Sequence, residues 1–157
     1  MLSDLEEAGA NGGTGVGGGI NVGTGFFRVG APDNCSLTLS NCTLKNNEAI
    51  GGAGGAGASG GDAWGGGVSV LTSTATVANC TVNSNQAIGT NAYGGGIYAL
   101  TSTVVVESST VSDNQADGSV DGEGGGIYAF DTTLTLVATN VKGNKATTAY
   151  NDIFNGP

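Results

Sequence analysis

The chain lacks histidine and has few basic residues. There is no His among its 157 residues, and Lys and Arg number 4 against 13 Asp and Glu, which gives a formal net charge of −9. Without imidazole, Ser-His-Asp and Cys-His relays and His-ligated metal sites are excluded. Without a basic patch, a nucleic-acid partner is not expected. The composition therefore removes several large classes of function before any motif is considered.

Cysteines and long apolar runs are also scarce. Cys35, Cys42 and Cys80 form neither an even-numbered disulfide framework nor a CxxC zinc pattern. No apolar run reaches the roughly 18 residues of a transmembrane helix, so direct membrane insertion is not expected. Residues 1–7 show no basic segment followed by an apolar one and therefore do not resemble a signal peptide.

Glycine is abundant, and much of it is arranged in a repeat. The chain holds 31 glycines, and a glycine triplet followed by a β-branched residue recurs at 17–20, 65–68, 94–97 and 124–127. An Asn-x-Ala landmark follows each triplet, with its asparagine at Asn47, Asn85, Asn114 and Asn144. The last three asparagines are separated by 29 and 30 residues, a spacing typical of solenoids.

Within each unit, apolar and polar residues alternate with a period of two, as in Leu37-Thr38-Leu39, which predicts β-strands. Each unit is predicted to form three short strands, joined by tight turns and closed by a glycine-rich loop. If each unit is one rung of a coil, its inward side chains stack on the equivalent residues of the next rung. The sequence therefore predicts an all-β fold, a parallel β-helix with about four to five rungs of roughly 30 residues.

Stacked rungs predict columns of like residues. Ile20, Val68, Ile97 and Ile127 should form an inward row, and Leu44, Val82, Val111 and Val141 another. Asn47, Asn85, Asn114 and Asn144 should form a structural ladder in which each amide donates to the next. On the outside, Tyr98 and Tyr128 should lie one above the other.

The segments GGGIYA, TVVVES and STVSDNQA, within residues 94–116, carry a resemblance to known repeats. They resemble the right-handed, single-stranded parallel β-helix proteins, including bacterial and algal surface proteins with GGGIY and S-T-x-S-x-N-x-A units. They are also similar to the polymorphic outer-membrane proteins of chlamydiae, although the Phe of the chlamydial FxxN motif is replaced here by Leu or Val. The resemblance covers residues 17–150 and implies a right-handed coil and an extracellular or cell-surface location.

The chain is predicted to be a single β-helix domain over 1–157, with inserted loops at 23–35 and 50–64. Residues 2–8 read as the tail of one rung and 151–154 as the head of another, which predicts a piece of a longer solenoid or a subunit of an assembly. A short amphipathic helix at 2–8 is the alternative for the first of these segments.

Two groups of residues are candidates for an interaction surface. The first loop carries Phe26, Phe27 and Arg28, residue types favoured in binding interfaces, and the second loop ends at Trp64. In polysaccharide-active β-helices, the strand face that carries Tyr98 and Tyr128 lines the substrate groove, so the resemblance implies that these rings could bind a glycan. Packing against the rungs and cross-strand pairing are the structural alternatives for these aromatics.

Acidic residues are clustered on one rung. Asp113, Asp117, Asp121 and Glu123 could hold Ca²⁺ through their oxygens or could simply form a solvated acidic loop. Pectate lyases share the predicted fold and use such acids together with Arg, Lys or His, but no spacing here fixes a catalytic pair. No catalytic residue, cofactor site or metal site is therefore predicted.

Outward threonines raise the possibility of ice binding. Thr38, Thr76 and Thr135 form a row, but Val105 interrupts it. The residues that follow two positions later are irregular: Ser40, Ala78, Glu107 and Val137. On this pattern a regular ice-binding array is not expected.

The sequence favours a non-catalytic, adhesin-like scaffold that presents its loops to a protein, to neighbouring solenoid segments or to a glycan. Two alternatives remain open, a structural subunit docked in a larger multi-protein assembly and a polysaccharide-active enzyme of the pectate-lyase-like class.

Overall fold

The structure is a computed structural model that describes residues 10–23 and 35–157. These residues contain no helix and form a parallel β-solenoid of about three turns. The strands in chain order are β1 (Gly15–Val16), β2 (Ile20–Val22), β3 (Ser36–Ser40), β4 (Thr43–Lys45), β5 (Glu48–Ile50), β6 (Ala63–Trp64), β7 (Val68–Leu71), β8 (Thr74–Ala78), β9 (Thr81–Asn83), β10 (Gln86–Tyr93), β11 (Ile97–Leu100), β12 (Thr103–Glu107), β13 (Thr110–Ser112), β14 (Gln115–Glu123), β15 (Ile127–Phe130), β16 (Thr133–Val137), β17 (Asn140–Lys142), β18 (Lys145–Ala146) and β19 (Ile153–Gly156).

The strands stack into four parallel sheets, which each turn of the chain visits in order. Sheet 1 contains β2, β7, β11, β15 and β19, sheet 2 contains β3, β8, β12 and β16, and sheet 3 contains β4, β9, β13 and β17. Sheet 4 contains β1, β5, β6, β10, β14 and β18. Equivalent residues pair between turns, as in Ile97 with Val68 and Ile127.

The predicted all-β parallel fold is confirmed, but two details of the prediction are wrong. The solenoid has about three turns, slightly fewer than the four to five rungs predicted. In addition, the segments expected to be glycine-rich closing loops, 86–93 and 115–123, are strands of sheet 4. Their small residues, Ala and Gly, hide the apolar alternation that marks the other strands.

The interior is formed by two groups of apolar side chains. The larger group fills the space between sheets 1, 2 and 3 with stacked aliphatic rows that include Ile97, Ile127, Val82 and Val111, all fully buried. The smaller group lies under sheet 4 and consists of alanines alone, Ala49, Ala63, Ala87, Ala92 and Ala116, with Ala146 packed against them.

Each corner between sheets contains a residue in the left-handed backbone region. Glycine occupies the corner before sheet 1, as in Gly94 with φ 66°, but the corner between sheets 1 and 2 uses Thr72 (φ 48°), Thr101 (φ 49°) and Asp131 (φ 47°). This conformation is uncommon for residues with a Cβ atom. Its recurrence at the same place in successive turns shows that the stacking dictates it.

Side-chain donors close two of these corners. After the corner between sheets 1 and 2, the Ser102 hydroxyl donates to the carbonyl oxygen of Leu100 at 2.7 Å. Ser73 and Thr132 make the equivalent bonds in the neighbouring turns. After the corner between sheets 2 and 3, the Ser109 hydroxyl donates to Glu107 O at 2.7 Å. The Cys80 thiol occupies the same position as Ser109 and contacts Ala78 O at 3.1 Å. Cys35, Cys42 and Cys80 are all free thiols.

The corner between sheets 3 and 4 is held by a continuous asparagine ladder. The side-chain amide of Asn47 donates to Asn85 Oδ1 at 2.8 Å, Asn85 donates to Asn114 at 2.9 Å, and Asn114 donates to Asn144 at 2.9 Å. The side-chain oxygens of Asn85, Asn114 and Asn144 also accept from the backbone N–H of the preceding asparagine in the column. The Asp152 carboxylate accepts the last bond, from Asn144, at 2.9 Å.

The second inserted segment is shorter than predicted and lies against the solenoid. Residues 48–50 and 63–64 are strands, so the loop covers 51–62 instead of 50–64. Its backbone pairs with residues 10–13, through bonds such as Gly52 N–H to Gly13 O at 2.7 Å and Gly12 N–H to Ser59 O at 3.0 Å. Such close backbone contact explains its glycine content, since a Cβ on Gly61 would overlap Gly13. The two parts of the chain are thus held together by backbone hydrogen bonds in a glycine-rich region.

Several expectations fall outside the described residues. The proposed helix or rung tail at 2–8 lies there, as does most of the first inserted loop with Phe26, Phe27 and Arg28. Within the described residues, no helix has the length and apolar character needed to span a membrane.

Candidate functional site

Six aromatic side chains meet on the outside of the solenoid, at the glycine corner between sheets 4 and 1. We call this surface the aromatic face, and it consists of Trp64, Tyr93, Tyr98, Tyr128, Tyr150 and Phe154. Trp64 and Tyr93 precede the glycine triplets, whereas Tyr98, Tyr128 and Phe154 are the outward residues of β11, β15 and β19. The glycine corner brings these two columns together because it turns the chain sharply between them.

The central rings of the aromatic face stack on one another. The ring centroids of Tyr98 and Tyr128 lie 5.5 Å apart with planes at 9°, as expected from their register. Trp64 stacks on Tyr98 at 5.6 Å, and Tyr128 stacks on Phe154 at 4.5 Å. Tyr98 is therefore only 5% exposed and has no free ring face for a sugar. The stacking of Tyr98 on Tyr128 agrees with the cross-strand pairing expected of aromatic residues in a sheet.

Tyr150 is the most accessible ring of the aromatic face. Its side chain is 54% exposed, and it contacts Phe154 edge to face at a centroid distance of 4.9 Å. Its backbone adopts a left-handed conformation with φ 56°, at the position that glycine occupies in the other turns. Tyr150 can therefore present a ring face to a ligand at the margin of the stack.

Two carboxylates border the aromatic face. Asp121 and Glu123 are alternate residues of β14 and so point to the same side of the strand. Glu123 pairs with Tyr93 on one side and with Ala149, next to Tyr150, on the other. The Tyr93 hydroxyl donates to Asp121 Oδ2 at 3.2 Å. The carboxylates and the accessible ring thus belong to neighbouring turns of one surface.

Burial and neighbouring charges raise the pKa values of Glu123, Tyr93 and Tyr128. Burial and then the negative charge of Asp121 raise the pKa of the Glu123 carboxyl above its ordinary value. Burial, followed by the charge of Asp121 and the hydrogen bond to it, raises the pKa of the Tyr93 phenol. For Tyr128, burial and the charges of Glu123 and Asp121 raise the phenol pKa. The phenols therefore stay protonated and can donate hydrogen bonds.

The remaining acidic candidates do not join this site. Asp113 lies at the corner between sheets 3 and 4 and accepts a bond from Asn83 Nδ2 at 3.0 Å, and Asp117 is exposed on β14. Within residues 10–23 and 35–157, no group of three or more His, Cys, Asp or Glu side chains could hold a metal ion. The four acids predicted as one cluster are thus separated: Asp113 is at a corner, Asp117 is exposed on β14, and only Asp121 and Glu123 border the aromatic face.

Sequence reasoning identified Trp64, Tyr98 and Tyr128 but missed the contribution of Tyr93 and Tyr150. A signal for Tyr93 was present, because Trp64 and Tyr93 both stand directly before a glycine triplet. Tyr150 gave no such signal, since the glycine triplet is replaced by Tyr150-Asn151-Asp152 in the last unit.

Comparison with known proteins gives no relative for this chain: no protein-family model, no curated protein and no solved structure matches it.

Proposed function

We propose that this protein is a non-catalytic, adhesin-like binding module whose aromatic face binds a glycan. The observation that supports this function best is the half-exposed Tyr150 ring beside two carboxylates, Asp121 and Glu123. An aromatic ring packs against the apolar face of a sugar, and carboxylates accept hydrogen bonds from its hydroxyls. The rigid stack beneath them reduces the ordering cost of binding.

The proposal differs from the first expectation in one respect. The resemblance allows Tyr98 and Tyr128 either to bind a sugar or to pair across strands, and their faces are occupied by neighbouring rings. In the proposed site, Tyr150 supplies the platform, and Tyr98 and Tyr128 support it through Phe154. Phe26, Phe27 and Arg28 remain candidates for a separate contact with a protein partner. A secreted or cell-surface location, suggested by the resemblance to surface-protein repeats, belongs to the same proposal.

Glycan binding can be tested by calorimetry with a panel of neutral, linear glucan, xylan and mannan oligosaccharides. We expect at least one to bind, and we expect Tyr150→Ala and Glu123→Gln to weaken binding at least about tenfold, or 1.4 kcal/mol. Val137→Ala is the control, because Val137 is an apolar residue 50% exposed on sheet 2, outside the sheets that carry the aromatic face. Absence of binding across the panel, or equal loss in Val137→Ala, would contradict the proposal.

The same samples test the enzymatic alternative. Asp121 and Glu123 are neighbouring carboxylates, and the pKa of one is raised, which are features that glycosidases also use. If the protein is a binding module, the oligosaccharides remain intact during prolonged incubation. Release of new reducing ends, abolished by Glu123→Gln, would assign the protein to the polysaccharide-active class instead.

A second candidate function, docking against another solenoid segment, is favoured by the inward row of β16. Leu136 lies in that row, in register with the fully buried Val106, but it is 37% exposed because β16 is the end strand of sheet 2. If this end of the stack packs against a neighbouring solenoid, light scattering should detect association that Leu136→Lys abolishes. Val120→Lys is the matched control, because Val120 is 73% exposed on a different sheet.

A further inference from the structure

The outward side of sheet 2 carries a regular two-dimensional array of hydroxyl groups. We call it the threonine face, and it consists of Ser36, Thr38, Thr74, Thr76, Thr103, Val105, Thr133 and Thr135. The backbone register places these residues in two columns, one with Ser36, Thr74, Thr103 and Thr133, and the other with Thr38, Thr76, Val105 and Thr135. Sheet 2 keeps this register without a bulge, unlike sheet 4.

This register changes how the threonine row is interpreted. From the sequence alone, the row of Thr38, Thr76 and Thr135 was considered beside the residues two positions later, which are irregular. The regular partner column lies two positions earlier instead, on the same outward side of each strand. With both columns present, seven of the eight positions carry a hydroxyl group, and Val105 preserves the branched shape of threonine without the oxygen.

The hydroxyls of the threonine face are available to solvent. All four residues of the first column are exposed, and those of the second column are exposed or half-buried. Within the described residues, the only hydrogen bond from these hydroxyls to the protein is a long one, from Thr74 Oγ1 to Cys35 O at 3.4 Å. The other hydroxyls can bond outward, and their β-branched side chains have few alternative rotamers.

The threonine face is uncharged although the protein carries a net charge of −9. The neighbouring outward surface of sheet 3 differs, since its columns mix threonines with Lys45, Asn83 and Lys142. High strand propensity explains isolated outward threonines, but it does not explain two uniform columns on one sheet. The nearest carboxylates, Glu107 and Asp131, lie at the borders of the threonine face.

The spacing of the hydroxyls is set by the backbone. Neighbouring strands lie about 4.8 Å apart, and alternate residues of one strand about 6.7 Å apart, so the two columns form a rectangular grid. These repeats are close to those of oxygen atoms on exposed planes of ice. A groove of about 290 Å³, lined by residues 72–74, 101–103 and Asp131, adjoins the first column. Its size and polar lining suit ordered water.

We propose that the threonine face binds ice, the crystalline form of water. A lattice repeats in two dimensions, which matches the grid, whereas a sugar would need an aromatic platform that this face lacks. The stacked core fixes the array before binding, so little conformational entropy is lost when it meets a rigid crystal. The threonine face and the aromatic face lie on different sheets, so this function is independent of glycan binding.

Ice binding is tested by measuring thermal hysteresis, ice-crystal shape and inhibition of ice recrystallisation with the whole protein. We expect the unmodified protein to shape ice and to inhibit recrystallisation, whereas an inert protein at equal concentration does neither. Thr103→Lys, in the middle of the threonine face, should abolish both effects because a lysine side chain holds the crystal away. Thr81→Lys is the matched control, since Thr81 is also exposed and also begins a strand, but on sheet 3.

Folding of each variant is checked by circular dichroism, and Thr135→Lys provides a second substitution on the threonine face if Thr103→Lys does not fold. Failure of the folded, unmodified protein to affect ice would overturn the proposal. Retained activity in the folded threonine-face variants, or equal loss in Thr81→Lys, would also overturn it. Binding of an oligosaccharide that Thr103→Lys abolishes, without any effect on ice, would assign the threonine face to a glycan instead.

Discussion

Single buried polar residues hold the corners of the solenoid together. Asn114 is 1% exposed, yet its side chain makes bonds to three other residues. Its amide donates to Val82 O at 3.0 Å, and its oxygen accepts from the Asn85 backbone N–H at 2.9 Å. The asparagine column therefore satisfies buried backbone groups as well as linking adjacent turns, and this explains why the same residue is repeated at every level.

We predict that Asn114→Ala destabilises the protein by about 3 kcal/mol, because the buried backbone N–H and side-chain amide of Asn85 would both lose the oxygen that accepts their hydrogen bonds. Urea denaturation followed by circular dichroism measures the change. Asn140→Ala is the matched control, since Asn140 is exposed on sheet 3, and its effect should stay within about 0.5 kcal/mol. Equal effects of the two substitutions would show that the asparagine ladder adds little to stability.

At the scale of the strand, the sequence predicts sheets 1 to 3 well and sheet 4 poorly. Ile97 and Val111 mark their strands because β-branched side chains alternate with polar ones. In β10 and β14, by contrast, Ala and Gly provide the inward positions, and these residues have low strand propensity. Their strands form because the pairing register is already fixed by the adjacent sheets.

The two candidate surfaces show why sites are harder to predict than strands. The aromatic face combines side chains from two sheets, and only the three-dimensional path of the glycine corner shows that Tyr93 approaches Tyr128, at 4.8 Å between ring centroids. The threonine face becomes visible only when the correct neighbouring columns of sheet 2 are taken together. If the column of Thr76 is grouped with that of Ala78 instead of that of Thr74, the regular array of hydroxyls is lost. Periodicity alone determines which residues point outward but not which columns are functionally paired.

The stacked tyrosines of sheet 1 should make the protein sensitive to alkali. Burial and the neighbouring phenols raise the pKa of Tyr98 above its ordinary value. As the pH rises above about 10, tyrosine ionises in the unfolded chain before it ionises in the fold, so Tyr98 stabilises the protein fully below that pH and progressively less above it. This residue alone should lower the free energy of unfolding by about 1.4 kcal/mol per pH unit in that range.

Tyr98→Phe keeps the ring stack and removes this titration, so its stability should decline less steeply with pH than that of the unmodified protein. Urea denaturation at a series of alkaline pH values, with tyrosinate absorbance recorded in parallel, measures both quantities. Parallel decline of the two proteins would indicate that Tyr98 ionises equally readily in the folded and unfolded chains.

At the scale of the whole molecule, the solenoid separates its surfaces by sheet. The aromatic face follows the corner of sheets 4 and 1, with its carboxylates, and the threonine face occupies sheet 2 without a charge. Because each turn contacts only its neighbours, each surface gains one residue or pair of residues per turn. A binding surface can therefore lengthen with the number of turns without any change in the core.

The same nearest-neighbour construction predicts that stability is uneven along the stack. Val111, in a turn with neighbours on both sides, is fully buried, whereas Val141, its equivalent in the next turn, is only partly buried. We predict that Val111→Ala costs about 2 kcal/mol and Val141→Ala about half as much, because less packing is lost where fewer side chains surround the valine.

Hydrogen exchange should accordingly be faster in β16 and β17 than in β8 and β12, since Leu136 and Val137 are exposed. Mass spectrometry of exchanged peptides distinguishes this gradient from unfolding of the entire stack in one step, which would give uniform protection and equal effects of the two valine substitutions.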